Sequence, residues 1–244
     1  MSSSFPQIIA IVPAGGVGLR AGTGYPKQYR ALRGDSMLRW AVRALLADAR
    51  IDQVRVAVAP DDHRAAEALR DLPRTVWRPC GGETRAATVL GALRDAELDP
   101  DVWVLVHDAA RPGLPADALG RLIDACLESG EGGLLAERVA DTVKREQAGA
   151  LPERNARVAA SVDREGLWLA QTPQMFRAGA LQAALEAAAD VATVTDEASA
   201  MDRAGHRPLL VPGSIRNFKV TWPEHFELME QLLKLGSDPS FGES

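Results

Sequence analysis

The sequence predicts an α/β fold, a doubly wound and mostly parallel sheet. Two observations carry that prediction. Short apolar runs alternate with stretches of helical periodicity through the first half of the chain, and such alternation implies right-handed βαβ crossovers with helices on both faces of a sheet. The segments that combine glycine with charge fall at the carboxyl ends of those runs, where ligands bind in open parallel sheets. A polar, valine-bearing stretch at 138–166 then interrupts the alternation.

In chain order, strands are predicted at Gln7–Val12, Val54–Ala59, Thr75–Arg78 and Val102–His107. Helices are predicted between them at Met37–Ala47, Asp62–Leu72 and Thr84–Ala96, which have helical periodicity and few breakers. A helix at Ala116–Glu128 precedes a further strand at Gly133–Ala136. Val139–Arg145 and Arg157–Val162 then flank Gln147-Ala148-Gly149-Ala150-Leu151-Pro152, the pattern of a long hairpin with almost no apolar face. Such a hairpin is marginal alone and needs something to pack against; a mobile surface loop explains the composition equally well. Strands follow at Leu167–Gln171, Pro208–Val211 and Asn217–Val220, and helices at Ala178–Ala189, Asp196–Ala204 and Pro223–Leu235. No repeat or low-complexity linker divides the chain, so 1–244 reads as one domain.

Of 244 residues, 46% are hydrophobic and 25% charged, ordinary globular values. The formal charge of −5 lacks the basic footprint of a nucleic-acid binder, so any anion must meet a local cluster of cations. Lysine occurs only at Lys27, Lys144, Lys219 and Lys234; against many arginines, a retained lysine hints at a wanted point charge. Cys80 and Cys126 are far apart and lack metal-ligand spacing, which suits a reducing compartment. Ile8–Val12 is too short for a signal core and no stretch approaches a membrane span. A soluble, cytoplasmic protein is the expectation.

The first chemical constellation is Pro13-Ala14-Gly15-Gly16-Val17-Gly18-Leu19-Arg20, followed by Tyr25-Pro26-Lys27-Gln28-Tyr29. Glycines let a backbone bend tightly and bring its N–H groups to an anion. The arginine and lysine add charge that a polyphosphate would justify. A plain strand-to-helix turn with solvated cations is the rival. A dinucleotide fingerprint fits Gly16–Ala21, but it wants an acid at the end of the second strand about 20 residues on. Asp35 lies in a turn before a helix instead. A P-loop needs Gly-Lys-Ser/Thr, which is absent from this loop.

Three more constellations sit at predicted strand ends. In Val106-His107-Asp108-Ala109-Ala110-Arg111-Pro112, Asp108 is placed either to cap a helix or to touch ligand hydroxyls or a metal, and Arg111 to meet phosphate. Gly81-Gly82-Glu83-Thr84-Arg85 opens a helix with free N–H donors that could read a base edge; an ordinary glycine turn is the alternative. Lys219, in Arg216-Asn217-Phe218-Lys219-Val220-Thr221, would alone be a surface lysine.

Together with Val162-Asp163-Arg164, Gln171-Thr172-Pro173-Gln174 and Thr195-Asp196-Glu197-Ala198-Ser199, these segments resemble the family of 2-C-methyl-D-erythritol 4-phosphate cytidylyltransferases from Ile8 to about Leu235. The resemblance implies a nucleotide-diphospho-sugar transferase-like fold whose β-arm interlocks a homodimer. It implies CTP over the glycine loop, with backbone donors at Ala14, Gly15 and Gly18 and with Arg20 and Lys27 on the triphosphate. Gly82, Glu83 and Thr88 would meet the cytosine end, and Asp108 and Ala109 the ribose region. Arg111, Thr142, Arg164, Thr172 and Lys219 match the sugar-phosphate side. Leu19 stands where many relatives carry a second arginine, and Thr88 where serine is common. Thr195-Asp196-Glu197 reads more simply as capping and dipole residues at a helix start.

The implied reaction is attack of the sugar phosphate on the α-phosphorus of CTP with release of pyrophosphate. A phosphate monoester is mostly dianionic at neutral pH, its second pKa being about 6, so no general base is needed. Arg20 and Lys27 would stabilise the transition state while Arg164 and Lys219 align the incoming phosphate. Mg²⁺ would be held mainly by phosphates, with Asp108 the one protein ligand to nominate. Ribitol 5-phosphate is the alternative acceptor; a nucleotide-binding regulatory module and an NAD-dependent dehydrogenase are readings of other classes.

Overall fold

The computed structural model describes residues 6–16, 26–147, 155–188 and 194–235. Its sheet has seven strands: β1 (Ile8–Ala14), β4 (Ile51–Val58), β5 (Thr75–Arg78), β6 (Trp103–Val106), β7 (Gly133–Arg138), β10 (Trp168–Arg177) and β11 (Leu209–Pro212). Their spatial order is β11-β7-β10-β6-β1-β4-β5. β1 pairs in parallel with β4 and β6, β4 with β5, and β7 with β11, whereas β10 runs antiparallel to both β6 and β7. Two short strands, β2 (Ala31–Leu32) and β3 (Asp35–Ser36), pair beside this sheet, and β8 (Val143–Glu146) and β9 (Val158–Val162) form a separate ribbon. The mostly parallel sheet agrees with the sequence expectation.

Both faces of the sheet are covered, which is why its central strands are apolar without alternation. On one face, Ile8, Ala10 and Val12 join Leu38, Val42 and Leu45 of α1 (Met37–Leu46) and Leu119, Leu122 and Cys126 of α4 (Ala116–Ser129). On the other, Ile9, Ile11 and Val104 meet Val89 and Leu93 of α3 (Arg85–Ala96), Leu181 and Leu185 of α5 (Ala178–Ala187), and Met201 of α6 (Glu197–Arg203). A smaller cluster joins Leu32 and Met37 to Phe226 and Met229 of α7 (Pro223–Leu235), and it buries Ala110 and Val220 as well. That third cluster fixes the chain on either side of the charged loops described below.

Three expected elements differ, the first being the strand predicted at Leu167–Gln171, which runs on to Arg177 as β10. The helix predicted at Asp62–Leu72 is one turn, α2 (Ala65–Ala68). Asp62 Oδ1 accepts from the N–H groups of Arg64 and Ala65, so the chain turns before it coils, and positive φ at Asp71 and Arg74 ends any continuation. The strand predicted at Asn217–Val220 has no sheet partner; a 3₁₀ turn, Ile215–Asn217, leads into an extended segment. Its groups bond to loops instead: Val220 N–H donates to the Ala110 carbonyl at 2.8 Å, and Arg111 donates to the Asn217 carbonyl at 2.7 Å. The ribbon matches the predicted hairpin in place, and its side chains are mostly exposed.

Candidate active site

The carboxyl ends of β1, β4, β5 and β6 lie side by side because those strands are parallel neighbours. Their loops therefore meet: Gly15-Gly16 after β1, Pro79–Thr84 after β5, and His107–Pro112 after β6. The first two approach at bare backbone. A Cβ on Gly15 would stand 3.1 Å from Gly81 Cα and 2.9 Å from the Thr88 hydroxyl, and one on Gly81 would meet the Val58 carbonyl oxygen at 2.7 Å. Only glycine fits at either place.

Thr88 is 1% exposed and works inside this junction. Its hydroxyl accepts from Gly82 N–H at 3.1 Å and lies 2.9 Å from the Thr84 carbonyl and 3.2 Å from that of Gly82, either of which can take its proton. Thr84 caps α3, its own hydroxyl accepting from Ala87 N–H at 3.0 Å. The Gly82–Thr88 turn is thus pinned by two hydroxyls, with Glu83 exposed at its apex. Gln28 ties down the other loop: its amide donates to the carbonyls of Ala14 and Gly16 at 3.0 and 3.2 Å. Gly18 and Arg20 lie outside the described residues.

A second cluster gathers around Asp108, whose side chain is 8% exposed. Its Oδ1 accepts from Arg85 Nε at 2.7 Å and its Oδ2 from Lys219 Nζ at 2.8 Å, with Arg111 Nε 3.8 Å from Oδ2. Burial alone would raise this carboxyl; Arg85, Lys219 and Arg111 outweigh burial and hold it far below the usual aspartate range. Arg85 also forks onto Glu197, NH1 to Oε1 at 2.6 Å and NH2 to Oε2 at 3.0 Å. Burial lowers Arg111 below the ordinary arginine value despite Asp108, and the Arg85 charge adds to that. Lys27 joins the group through the neighbouring chain, donating from Nζ to the Val220 carbonyl at 2.7 Å.

His107 and Thr172 are buried beneath Asp108. The Thr172 hydroxyl accepts from Asp108 N–H at 3.0 Å and lies 3.1 Å from His107 Nδ1, while His107 Nε2 lies 3.0 Å from the Arg111 carbonyl. Since that carbonyl can only accept, Nε2 carries a proton, and the threonine proton completes the set at Nδ1. Every group is satisfied by a neutral ring, and burial pushes the imidazole down to about 4. The hydroxyl of Thr172, expected among the sugar-phosphate positions, is thus bonded within the loop. Close by, Asn217 donates to Gln171 Oε1 at 3.0 Å and to the Thr172 carbonyl at 2.7 Å; its own Oδ1 and Arg111 Nε are buried with no hydrogen-bond partner.

The expected residues thus fall into three groups. Asp108, Arg111 and Lys219 converge, with Lys27 one carbonyl away and Ala109 buried beside them. Ala14, Gly15, Gly82 and Thr88 form the glycine junction. Thr142 and Arg164 are not brought to either; they are exposed at the base of the ribbon, where Arg164 donates to the Ala140 carbonyl. Asp108 is also the residue nominated as a metal ligand. Both of its oxygens already face cations, and no group of three or more His, Cys, Asp and Glu among the described residues could hold a metal ion. The residues present do not fit a protein-held Mg²⁺.

Sequence reasoning took Asp196 and Glu197 together as helix-start residues. Asp196 is one: its carboxylate accepts from Ser199 N–H within a capping box. Glu197 is 1% exposed and holds Arg85. Arg85 and Glu197 are 112 positions apart, so no local spacing announces their pairing. The signal available was the arginine closing Gly81-Gly82-Glu83-Thr84-Arg85.

Comparison with known proteins adds the following. A family model described as 2-C-methyl-D-erythritol 4-phosphate cytidylyltransferase matches residues 8–235. A protein of that name from Bordetella petrii is 68% identical over 93% of this chain and 99% of its own length. Another, from Laribacter hongkongensis, is 51% identical over 94% of this chain and 97% of its own. Among solved structures, a 4-diphosphocytidyl-2C-methyl-D-erythritol synthase superposes with a TM-score of 0.81 at 37% identity, covering 95% of this chain and all of that one. The Thermus thermophilus cytidylyltransferase gives a TM-score of 0.75 at 29% identity over 93% of this chain and 99% of its own.

Proposed function

Because the chain belongs to the 2-C-methyl-D-erythritol 4-phosphate cytidylyltransferase family, we infer that it transfers CMP from CTP to 2-C-methyl-D-erythritol 4-phosphate. The products are 4-diphosphocytidyl-2-C-methyl-D-erythritol and pyrophosphate, in the non-mevalonate route to isoprenoid precursors. The observation that carries the site is the convergence of Arg111, Lys219 and Lys27 beside a glycine junction with no side chains at its centre.

Both substrates are anionic, and the catalytic requirement is in-line positioning with neutralised charge. Lys27, with Arg20, is assigned to the triphosphate, and Ala14, Gly15 and Gly18 to backbone contacts with it. The Gly82–Thr88 turn, Glu83 included, is assigned to the base, and Asp108 and Ala109 to the ribose side. Lys219 and Arg111 are assigned to the sugar phosphate. Both carry charge at the carboxyl end of β6, and Lys219 is 45% exposed, open enough to meet a ligand. Mg²⁺ enters as part of the substrate, the Mg·CTP complex, because Mg²⁺ keeps several waters and is usually held through phosphates.

Thr142 and Arg164 are assigned to the site of a second subunit. Their exposure at the base of an unsupported two-stranded ribbon favours that reading. A homodimer formed through this arm would complete each site. A cytoplasmic location accords with the two free thiols, Cys80 and Cys126; no helix among the described residues is long and apolar enough to cross a membrane. Pyrophosphate release tests the reaction, with CTP offered alongside methylerythritol phosphate or ribitol 5-phosphate. Turnover with the first acceptor and little with the second is expected. A preference for ribitol phosphate would replace the acceptor, and silence with both would overturn the reading.

A further inference from the structure

Resting on the assignment of Lys219 to the sugar-phosphate side, we propose that Arg85 and Glu197 are positioning residues for the transfer. They take Oδ1 of Asp108, commit Oδ2 to Lys219, and so hold that ammonium where the acceptor's phosphate arrives. Neither residue has a part in the site expected from the sequence.

The main chain of Asp108 is already fixed, since its N–H donates to Thr172 Oγ1 at 3.0 Å. What remains free is rotation about the two bonds of the side chain. Arg85 Nε at 2.7 Å removes that freedom. Arg85 is in turn held by two contacts to Glu197, at 2.6 and 3.0 Å, and a bidentate fork fixes a guanidinium plane as a single contact cannot. Glu197 sits at the first turn of α6, whose cap is formed independently by Asp196 and Ser199. Orientation therefore passes from a capped helix through a planar fork to one carboxylate oxygen. Without it, a single ammonium could bridge both oxygens of Asp108 and be drawn inward, away from the opening where Lys219 now stands.

Stability alone does not account for the arrangement. Glu197 is 1% exposed, and buried ion pairs of this kind are often no better for folding than apolar residues of the same volume. Five charged side chains meet here: the carboxylates of Asp108 and Glu197 and the cations of Arg85, Arg111 and Lys219. Their sum is one positive charge, so the fork leaves one unit of charge uncompensated for an incoming phosphate.

A double-mutant cycle between Glu197→Gln and Lys219→Ala tests this in the full-length enzyme. Glu197→Gln keeps shape and removes charge. Alone it should lower kcat/KM for methylerythritol phosphate by about tenfold, with KM for CTP changed by less than about threefold. In the Lys219→Ala background it should cost less than about twofold more, because the group it positions is gone. Arg85→Lys, which keeps the charge and loses the fork, is put through the same cycle with the same expectation. Loss of similar size in both backgrounds, or no loss at all, overturns the proposal. So does collapse of the melting transition in both variants, which would make the pair a scaffold. Full activity in Lys219→Ala removes the underlying assignment and this inference with it, a result distinguishable from the others by that single variant.

Discussion

Acidification should destabilise this protein through His107 before it reaches most carboxylates. The ring is fully buried, lies 3.1 Å from the Thr172 hydroxyl and 3.0 Å from the Arg111 carbonyl, and is pushed down to about 4. In the unfolded chain a histidine titrates near 6.5. A base whose folded value is depressed contributes stability that is complete above the unfolded value and is lost as pH falls toward the folded one. The window here is therefore about 6.5 down to about 4. Between pH 7 and pH 4.5 the linkage integral comes to about 2 kcal/mol, a large part of the ~5–15 kcal/mol that stabilises a typical domain. Asp108 does not share this window: its folded carboxyl is depressed, so its contribution is lost only below the unfolded aspartate value of about 3.9. The assay is urea unfolding near pH 7 and near pH 4.5 for the wild type and for His107→Gln, which cannot titrate. The wild type should lose about 2 kcal/mol more than the variant across that interval. An NMR titration of the ring gives the same answer directly. A midpoint near pH 6.5, or equal losses in both proteins, would refute the reasoning.

Two further outcomes follow from the geometry. Thr88→Ser keeps the hydroxyl that accepts from Gly82 N–H and should hold KM for CTP within about threefold, whereas Thr88→Val removes that acceptor and should raise it about tenfold or more, read by steady-state kinetics; equal values for the two would dissociate the turn from the base. If Arg164 serves a partner's site, mixed and exchanged Lys27→Ala and Arg164→Ala homodimers should regain activity, since each heterodimer would hold one intact site; verified subunit exchange without recovery would return Arg164 to its own chain.

The parts of the fold legible in the sequence are those fixed by local patterns. A parallel strand buried on both faces reads as a nearly unbroken apolar run, so the central strands β1 and β6 were visible within a few residues of their places. Capping chemistry was visible too, at Thr84 and Asp196. Asn217–Val220 misled because a short segment with buried residues reads the same whether loops or a sheet bury it. Here Asn217 and Val220 are buried by loop contacts, not by a ladder. In the site, Asp108, Arg111 and Lys219 were legible from their strand-end motifs. What those motifs could not contain was the division of labour at Asp108, since Arg85 reaches it from one helix and is held by Glu197 from another. Nor could they reveal that the Thr172 hydroxyl is spent inside the loop, a fact fixed by the depth of its burial.

The contact between Gly15 and Gly81 sets a boundary on redesign. Most nucleotide pockets can be widened by trimming a side chain, trading a large residue for a small one. Here the facing positions have no side chain to trim, and each glycine stands within 3.1 Å of where the other's neighbour-atom would grow. The gap between the loops after β1 and β5 is therefore a property of chain length and strand register, not of residue volume. Enlarging it would require inserting residues into one of the loops. Narrowing it is equally closed, because the smallest addition, a methyl group on Gly81, would strike the Val58 carbonyl at 2.7 Å. Substitution of Gly15 or Gly81 can only distort the junction, so any widening there has to arrive as a change in the backbone.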